Sequence, residues 1–519
     1  MVGPVPGTTR PRLSLAVLSL VLFVTFLDNT IVAAALADIQ TSLGTGVSAL
    51  QWIVSAYALT FAALMLSFGT LGDHLGRRAV MIGGLVAFTA GSIFGSVATS
   101  SGMLIGARVV MGIGAAASEP GTLSMIRQLY PERGERAQAL GVWSAVSGLA
   151  LAAGPVIGGA LVGLWSWRAV FVFNVVMALI ALVGVRAILP ESVNEQRRRL
   201  DIPGLLLAAV ALIAATFAII AGETSGYAAW WIGLLFALAV LAAALFVVVE
   251  LRADEPVLDL RFFRVGGFAG GNLVAFTGYF ATFAVFFFIP LYVQLIGTAS
   301  PFDIAIYFLP MAALLILASA LSGRWVARVG PGVPMAAGCV CAGAGILITN
   351  SFLSATSGVE LFGWSLGLVG AGLGVVMVAA TSAVLGVVPA ERSGMAASAV
   401  NTSRELGAVA GVAVLGSVVN GLLVSNLREQ LDRIPGLTKG LRAEVITAIT
   451  TGSVNTSASN LPKTGPIAHI VNQVLAAANS AFSSALNVVL ILAGVLLLAS
   501  AAISASLVHR SRATGSDDL

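Results

Sequence analysis

Fourteen apolar stretches, each long enough to cross a lipid bilayer as a helix, fill most of this chain. A helix needs about 20 predominantly apolar residues to span the hydrocarbon core. Charged residues make up only 10% of the 519 residues, whereas a soluble protein carries roughly a quarter. The pattern therefore predicts an all-α polytopic membrane protein, and it directs the search for function to the few charges inside the spans.

The distribution of arginine predicts how the chain is oriented. The predicted spans cover residues 13–37, 51–71, 79–98, 103–126, 137–161, 168–188, 203–222, 229–250, 268–296, 302–326, 333–353, 359–388, 394–424 and 482–507. Arginine is concentrated in alternate loops, and the short loops on the other side hold almost none except Arg168. Because loops rich in Lys and Arg remain in the cytoplasm, we expect both termini to be cytoplasmic.

The absence of several motifs narrows the possible functions. The sequence contains no GxxxxGK[ST], HExxH or CxxC pattern, so we expect no ATP-driven step, no bound metal or other cofactor, and no enzymatic activity. The net charge of +4, without a basic run interleaved with aromatics, gives no sign of nucleic-acid binding. Cys339 and Cys341 lie two residues apart in one span and face different sides of a helix. Because the sequence has no ATP-binding loop, any transport is expected to be driven by a gradient.

The most specific local pattern runs from Gly69 to Arg78, at the predicted cytoplasmic end of span 2. Glycine at 69 lets helices approach closely, and glycine at 76 permits a positive φ. Asp73 lies at a helix terminus, where it can pair with an Arg or with a helix N-terminus. The pattern predicts a charged latch that holds one conformation, formed by Gly69, Asp73, Gly76, Arg77 and Arg78. The alternative is an ordinary positively charged loop.

A shortened copy of this pattern ends span 10. It reads Gly323-x-x-x-Ala327-x-x-Gly330 and lacks the acid. Repeated halves are typical of transporters, whose substrate site lies between them. The echo is short, and it supports a transporter only together with the other patterns.

The Gly69–Arg78 run resembles the signature loop of the major facilitator superfamily. Other segments support the resemblance: Asp28-Asn29-Thr30-Ile31-Val32, Arg108-x-x-x-Gly112-x-Gly114, Gly154-Pro155-x-x-Gly158-Gly159, Trp167-Arg168-x-x-Phe171-x-x-Asn174 and Asn401-Thr402-x-Arg404-Glu405-Leu406-Gly407. Together they resemble the drug:proton antiporters with fourteen spans, a subfamily that includes exporters of quaternary ammonium compounds and dyes. The chain departs from the usual pattern at Ala33, Ala37, Met111 and Val176.

This resemblance implies the major facilitator fold, with two six-helix bundles and two inserted spans. The implied domains are an N-terminal bundle (1–188), the inserted spans with their flanking loops (189–267), a C-terminal bundle (268–507) and a cytoplasmic tail (508–519). The C-terminal bundle includes a long extracellular loop, 425–480. The resemblance also implies a multi-pass protein of the bacterial inner membrane, which we expect to be a monomer with protons and small molecules as its only partners besides lipid.

Span 5 carries a cluster of small residues typical of close helix contacts. Proline within a helix frees a carbonyl and bends it. In the family, this bend is thought to seal one face of the site in antiporters. The residues concerned are Gly154, Pro155, Gly158 and Gly159. Gly148 lies earlier in the same span. The alternative is generic helix packing.

Charges buried in the spans are the strongest candidates for proton coupling. From the helix rise, Asp28 lies about 22 Å from the cytoplasmic end of its span, and Arg108 lies roughly 8 Å below the outer surface, so the two can pair. Glu119 shares the face of Arg108 nearer the cytoplasm, and Glu405 lies near the midplane beside Arg404. A carboxylate in a cavity of low dielectric can hold a proton near neutral pH, and a lipophilic cation can displace that proton. Each of these charges has a purely structural alternative.

Aromatic rings are expected to line the cavity, because ring faces attract cations by about 0.5–2 kcal/mol. The candidates are Trp52, Tyr57, Trp143, Tyr279 and Phe283, with Phe276, Phe280 and Phe287 nearby. Each of these rings can instead be simply packed or face lipid. In the outer loop 425–480, apolar residues at helical spacing, including Leu427 and Leu431, predict two amphipathic helices on the membrane surface, with a turn at 450–465. A solvated loop is the alternative.

We therefore predict proton-coupled efflux of lipophilic, often cationic drugs or toxic compounds by alternating access. Within transport, the alternative is a dedicated exporter of a metabolite, a lipid or a self-made antibiotic. An alternative of another class is a membrane sensor or scaffold that transports nothing. Such a scaffold would need neither the buried acids nor the Gly-Pro bend.

Overall fold

Helices account for nearly all of the residues whose structure is defined. The computed structural model describes residues 11–45, 47–191, 201–253, 256–295, 301–353, 359–434, 439–450 and 466–514, and no strand occurs within these ranges. The helices are α1 (Pro11–Ile31), α2 (Leu36–Leu43), α3 (Val47–Leu75), α4 (Arg77–Ser96), α5 (Ser101–Leu129), α6 (Arg133–Leu164), α7 (Arg168–Ile188), α8 (Ile202–Ser225), α9 (Trp230–Arg252), α10 (Gly266–Leu295), α11 (Pro301–Val329), α12 (Gly332–Ser351), α13 (Val359–Val387), α14 (Ser393–Asp432), α15 (Lys439–Thr450) and α16 (Pro466–Thr514).

Fourteen of these helices are long and apolar enough to cross a membrane, which confirms the predicted number. The short helices α2 and α15 are the two exceptions within the described part of the chain. Span 1 differs in detail from the prediction of one helix over 13–37. Helix α1 ends at Ile31, a 3-10 turn covers Ala33–Ala35, and α2 follows.

The described part of the predicted outer loop is helical, and Leu427 and Leu431 do not lie on a separate surface helix. Helix α14 runs for 40 residues to Asp432, which is about 60 Å and twice the thickness of the hydrocarbon core. Leu427 and Leu431 are fully buried near its end, and Gln430 donates to the Ser480 hydroxyl on α16 at 3.2 Å. The prediction of separate amphipathic helices was therefore wrong here, because these leucines continue the packed face of a membrane helix. The predicted turn falls mostly on residues 451–465, outside the described residues.

The spanning helices form two groups of six with an inserted pair, which confirms the predicted fold class. We call α1–α7 the first half and α10–α16 the second half; helices α8 and α9 lie between them in the chain and pack on each other. The two halves touch where α6 meets α11 and where α14 meets α3 and α5. The halves approach closely, because a Cβ on Gly323 would lie 2.4 Å from the Ala137 carbonyl oxygen.

The internal echo predicted from sequence is visible in the backbone. Gly76, between α3 and α4, has φ 102°, and Gly330, between α11 and α12, has φ 81°. Both positions lie in a region of φ that other residues rarely adopt. The same glycine-dependent turn therefore follows the corresponding helix in each half.

Candidate functional site

A buried ion pair lies in the first half. Arg108 Nη1 on α5 bonds Asp28 Oδ2 on α1, and both side chains are almost completely inaccessible. Asn174 Nδ2 on α7 donates to the other oxygen, Asp28 Oδ1, at 2.7 Å. Arg108 Nε donates to the Ile53 carbonyl of α3 at 2.9 Å. The predicted pairing is thus present, and it joins four helices around one carboxylate whose two oxygens are both occupied.

Two of the predicted cavity aromatics, Trp52 and Tyr57, lie on α3 of the first half. The Tyr57 ring lies 4.4 Å from the Arg108 guanidinium carbon, and its hydroxyl donates to the Thr25 carbonyl at 2.9 Å. Tyr57 is fully buried, so in this conformation it supports the ion pair. Trp52 instead packs on Phe217 of the inserted helix α8, with ring centroids 5.0 Å apart.

A second polar network joins the two halves at the centre of the molecule. Glu119 on α5 is 1% exposed, and its Oε1 accepts a bond of 3.1 Å from Asn401 Nδ2 on α14. Asn401 Oδ1 accepts in turn from Arg404 Nη1 at 3.0 Å. Arg404 Nη2 continues to α13, donating to the Met377 carbonyl at 2.9 Å and to the Thr381 hydroxyl. The sequence analysis named Asn401 only as part of a family motif, and it did not name Met377 or Thr381.

Part of this network has no partner among the described atoms. Glu119 Oε2, Arg404 Nε and the Tyr279 hydroxyl are buried and make no hydrogen bond there. An unpartnered polar group in the interior is costly, so the groups are candidates for contact with a proton, water or transported molecule. The chemistry available is one acid, one guanidinium and a phenol facing a common region.

Three other predicted aromatics surround this network. The Arg404 guanidinium carbon lies 5.7 Å from the Trp143 ring and 5.8 Å from the Tyr279 ring. Trp143 Nε1 donates to the Thr122 hydroxyl at 3.0 Å, and Tyr279 stacks on Phe283 at 5.5 Å. Rings from both halves therefore flank the buried charges, as expected for a site that accepts apolar or cationic groups.

Glu405 stands apart from the bonded network. It follows Arg404 on α14 and is only partly buried, and within the described residues no hydrogen bond or ion pair joins it to another side chain. Its charge nevertheless acts on Glu119. No ion pair joins Glu405 to Arg404, whose two Nη atoms bond Asn401 and groups of α13.

The predicted latch joins the halves at the end of the molecule that holds the Gly76 turn, which we call the Gly76 end. Asp73 accepts from Arg77 Nε at 2.9 Å and Nη2 at 2.7 Å. The same carboxylate accepts from the backbone N–H groups of Gly394 and Met395, each at 3.1 Å. These are free donors at the N-terminus of α14, where the helix dipole favours negative charge. Asp73 therefore binds the second half while its Arg77 pair stays within the first.

Close backbone packing makes this contact possible. A Cβ on Gly69 would lie 1.4 Å from Ser398 Oγ, and a Cβ on Gly394 would lie 2.4 Å from Asp73 Oδ1. Arg78 does not take part in the junction, since it donates to the Arg186 carbonyl within the first half. Two further bonds at the Gly76 end were not predicted. Arg127 of α5 donates to the Val388 carbonyl of the second half, and Arg392 pairs with Asp259, in the segment before α10, at 2.7 Å.

The second copy of the pattern occupies the symmetric position without its acid. A Cβ on Gly134, at the start of α6, would meet Ala327 Cβ at 3.7 Å, as Gly394 meets Asp73. No side chain caps the N-terminus of α6 at Glu132. The charged contact is thus present at the first copy of the pattern and absent at the second, as the missing acid predicted.

The glycines of α6 do not form one flat face. A Cβ on Gly154 would lie 1.9 Å from Thr30 Oγ1, and one on Gly158 would lie 2.6 Å from the Ile31 carbonyl, so both pack on α1. Gly148 packs instead on Leu315 of α11, and Gly159 faces open space. The side chain of Pro155 lies outside the described residues.

Sequence comparison gives the family. The profile of the Major Facilitator Superfamily matches residues 18–412. The chain belongs to this superfamily. It is therefore a membrane transporter by family and not an enzyme, as the sequence predicted.

Curated relatives of this superfamily member are resistance proteins. It is 35% identical over 421 residues to "Multidrug resistance protein Stp" of Mycobacterium tuberculosis, covering 81% of this chain and 78% of that protein. It is 31% identical to "Multidrug efflux pump LfrA" of Mycolicibacterium smegmatis, covering 95% and 96%. It is 34% identical to "Methylenomycin A resistance protein" of Streptomyces coelicolor, covering 76% and 82%.

Solved structures of distant relatives share the fold. The human organic anion transporter MFSD10 superposes with a TM-score of 0.62 at 16% identity, covering 94% of this chain and 99% of that one. A bacterial homologue of the lysosomal transporter Spinster superposes with a TM-score of 0.59 at 17% identity, covering 96% and 99%. These similarities support the major facilitator architecture and nothing about substrate.

Proposed function

We propose that this superfamily member exports lipophilic, often cationic drugs in exchange for protons. The observation that carries the proposal is the buried Glu119, which lies between the two halves with one carboxylate oxygen unpartnered and aromatic rings nearby. An uncompensated charge inside a membrane span costs at least about 3 kcal/mol. Either a proton or a bound cation removes that cost, and the two compete for one oxygen. Competition of this kind is antiport.

The direction of exchange follows from the orientation we propose. The arginine-rich loops place the Gly76 end in the cytoplasm of a bacterium, with both termini on that side. With the junction at Asp73 formed, the cytoplasmic side is closed, and this conformation takes a proton from outside. Protonation then favours opening toward the cytoplasm, where a drug displaces the proton. The inward proton gradient drives the cycle, with the protein acting as a monomer and needing no cofactor.

Asp28 is proposed to act as the second titrating group. Its two oxygens are held by Arg108 and Asn174, so it accepts a proton only when Arg108 is released. Such a release couples protonation to movement of α1 against α5. Glu405 is a third titrating candidate because its charge acts on Glu119.

A dedicated exporter of one antibiotic or metabolite is the second candidate. Relatives named for resistance to methylenomycin A, puromycin and tetracenomycin C favour it, since each is named for a single compound. A sensor or scaffold is not favoured by any contact described above. The two transport candidates use the same site and differ only in the range of substrates.

Proteoliposomes with an imposed pH gradient test the proposal. We expect cationic dyes such as ethidium to move against their gradient, and we expect an ionophore that collapses the proton gradient to stop the movement. A panel of single antibiotics in the same vesicles separates broad from dedicated export. A protein that moves no compound under any gradient would refute transport altogether.

A further inference from the structure

Asn401 is the only described side chain that bonds both Glu119 of the first half and Arg404 of the second. It lies on α14, seven residues after Gly394, and is 1% exposed. Its amide N–H donates to Glu119 Oε1 at 3.1 Å, and its carbonyl accepts from Arg404 Nη1 at 3.0 Å. The chain of bonds therefore runs from α5 through α14 to α13.

The bridge needs a side chain that both donates and accepts hydrogen bonds, and an amide does so in one charge state. Glu119, when ionised, only accepts hydrogen bonds, and Arg404 only donates them. A group between them must donate to one and accept from the other, and an asparagine side chain does both. An aspartate could do so only in its protonated form. An aliphatic side chain supplies neither contact.

The strength of the bridge depends on the charge of Glu119. Hydrogen bonds to an ionised acceptor are roughly twice as strong as bonds between neutral groups. The bridge uses Oε1 and leaves Oε2 unpartnered, so a proton can bind Oε2 without displacing Asn401. Protonation then weakens the bond to Asn401 rather than removing it.

Other charged and titratable groups lie near Glu119, and their effects must be distinguished from its own. Arg404 and Glu405 of α14 act on Glu119, and the acid acts on Tyr57 of α3 and Tyr279 of α10. On α5 itself, the charged side chain of Arg108 forms an ion pair with Asp28. Asp73 touches α14 at its N-terminus and is a separate titratable contact between the halves.

We propose that Asn401 is the positioning residue that couples the charge of Glu119 to the contact between the two halves, with Arg404 of the same helix holding the Asn401 amide in place. The role deepens the proposed antiport, on which it rests. With Glu119 ionised, the bridge holds the halves together and the Gly76 end stays closed. With Glu119 protonated, the bridge weakens and that end opens. The protein with protonated Glu119 is thus the form that opens at the Gly76 end, where the drug binds.

The experiment measures the opening of the Gly76 end directly and needs no transport. Spin labels replace the exposed Arg133 on α6 and Arg328 on α11, after Cys339 and Cys341 are changed to alanine. Pulsed EPR in lipid nanodiscs gives the ratio of short to long distances as a function of pH. In the otherwise unchanged protein, we expect acidification to shift this ratio toward the open form by about fivefold, the difference between a charged and a neutral hydrogen bond.

Two variants of Asn401 give opposite predictions. Asn401→Ala removes the bridge, so the pH-dependent shift should fall below about twofold. In Asn401→Asp, two carboxylates repel each other at high pH, whereas a protonated aspartate restores both bonds at low pH. Its pH dependence should therefore reverse, with acidification closing the Gly76 end. This reversal also shows that the variant is folded.

Asn272→Ala is the matched control. Asn272 is a buried asparagine on α10 that accepts from Ser403 of α14 within the second half at 3.0 Å, so its removal should leave the pH dependence as in the parent protein. If Asn401→Ala keeps the full shift, or if Asn401→Asp titrates in the parent direction, the proposal is overturned. Dye export by the same proteins is scored separately, so that failure of antiport and failure of the bridge are distinguished.

Discussion

Asp73 should set the balance between the closed and open forms of the Gly76 end. Its carboxylate receives two backbone N–H groups of α14 at 3.1 Å each, and these are the two Asp73 bonds that cross between the halves. In Asp73→Asn, the carbonyl oxygen keeps one of them and the amide group cannot accept the other. Loss of one charge-assisted bond and of the charge at a helix N-terminus amounts to about 1–2 kcal/mol. The closed-to-open ratio should therefore fall about 5- to 30-fold.

The assay is the EPR distance between labels on α6 and α11 at constant pH. Asp38→Asn is the control, since Asp38 accepts from the Trp167 backbone N–H at 3.1 Å entirely within the first half. That variant should keep the parent ratio. Asp73→Asn should also lower the melting temperature, because Arg77 then remains buried without its carboxylate. If the melting temperature falls while the distance ratio is unchanged, Asp73 stabilises only the first half and the latch does not exist.

Three further predictions concern the buried acids and the glycines of α6. Asp28→Asn should abolish gradient-driven dye export while the protein still elutes as a folded monomer. The free energy of unfolding should fall by about 3–5 kcal/mol, because Arg108 loses its ionic partner. Unchanged export would remove Asp28 from the mechanism. Glu119→Gln should reduce export of cationic drugs at least tenfold more than that of neutral drugs, as measured by resistance profiles, and an equal loss for both classes would contradict a role in selectivity. Gly158→Ala should impair export, because its Cβ would lie 2.6 Å from the Ile31 carbonyl oxygen. Gly159→Ala places a Cβ in open space and should leave export unchanged. Equal effects of the two changes in transport assays would contradict the packing argument.

Much of the architecture follows from the sequence because the bilayer leaves few choices. Apolar runs of membrane length must become helices whose backbone groups are satisfied internally, so fourteen spans could be counted from composition. The Gly76 turn was predictable because only glycine adopts its φ readily. The extension of α14 to Asp432 was not predictable, because Leu427 and Leu431 have the spacing of any amphipathic helix. Only the tertiary packing shows whether such a face meets lipid or protein.

The charged residues of the candidate site were predictable from the sequence, but the network that they form was not. The cost of burying a charge identifies Asp28, Arg108 and Glu119 from sequence alone. It does not identify Asn174 or Asn401, because a neutral amide in a span carries no such signal. Their roles depend on which helices meet, and contacts between α5 and α14 join residues 282 positions apart.

Release of protons on drug binding tests the account most directly, because the same buried carboxylates are proposed to hold either ligand. Purified protein in weakly buffered detergent solution, with a pH indicator, is mixed with a saturating cationic drug. The account predicts acidification of the solution, reduced in Asp28→Asn and in Glu119→Gln. Saturable drug binding with no release of protons at any pH would contradict it.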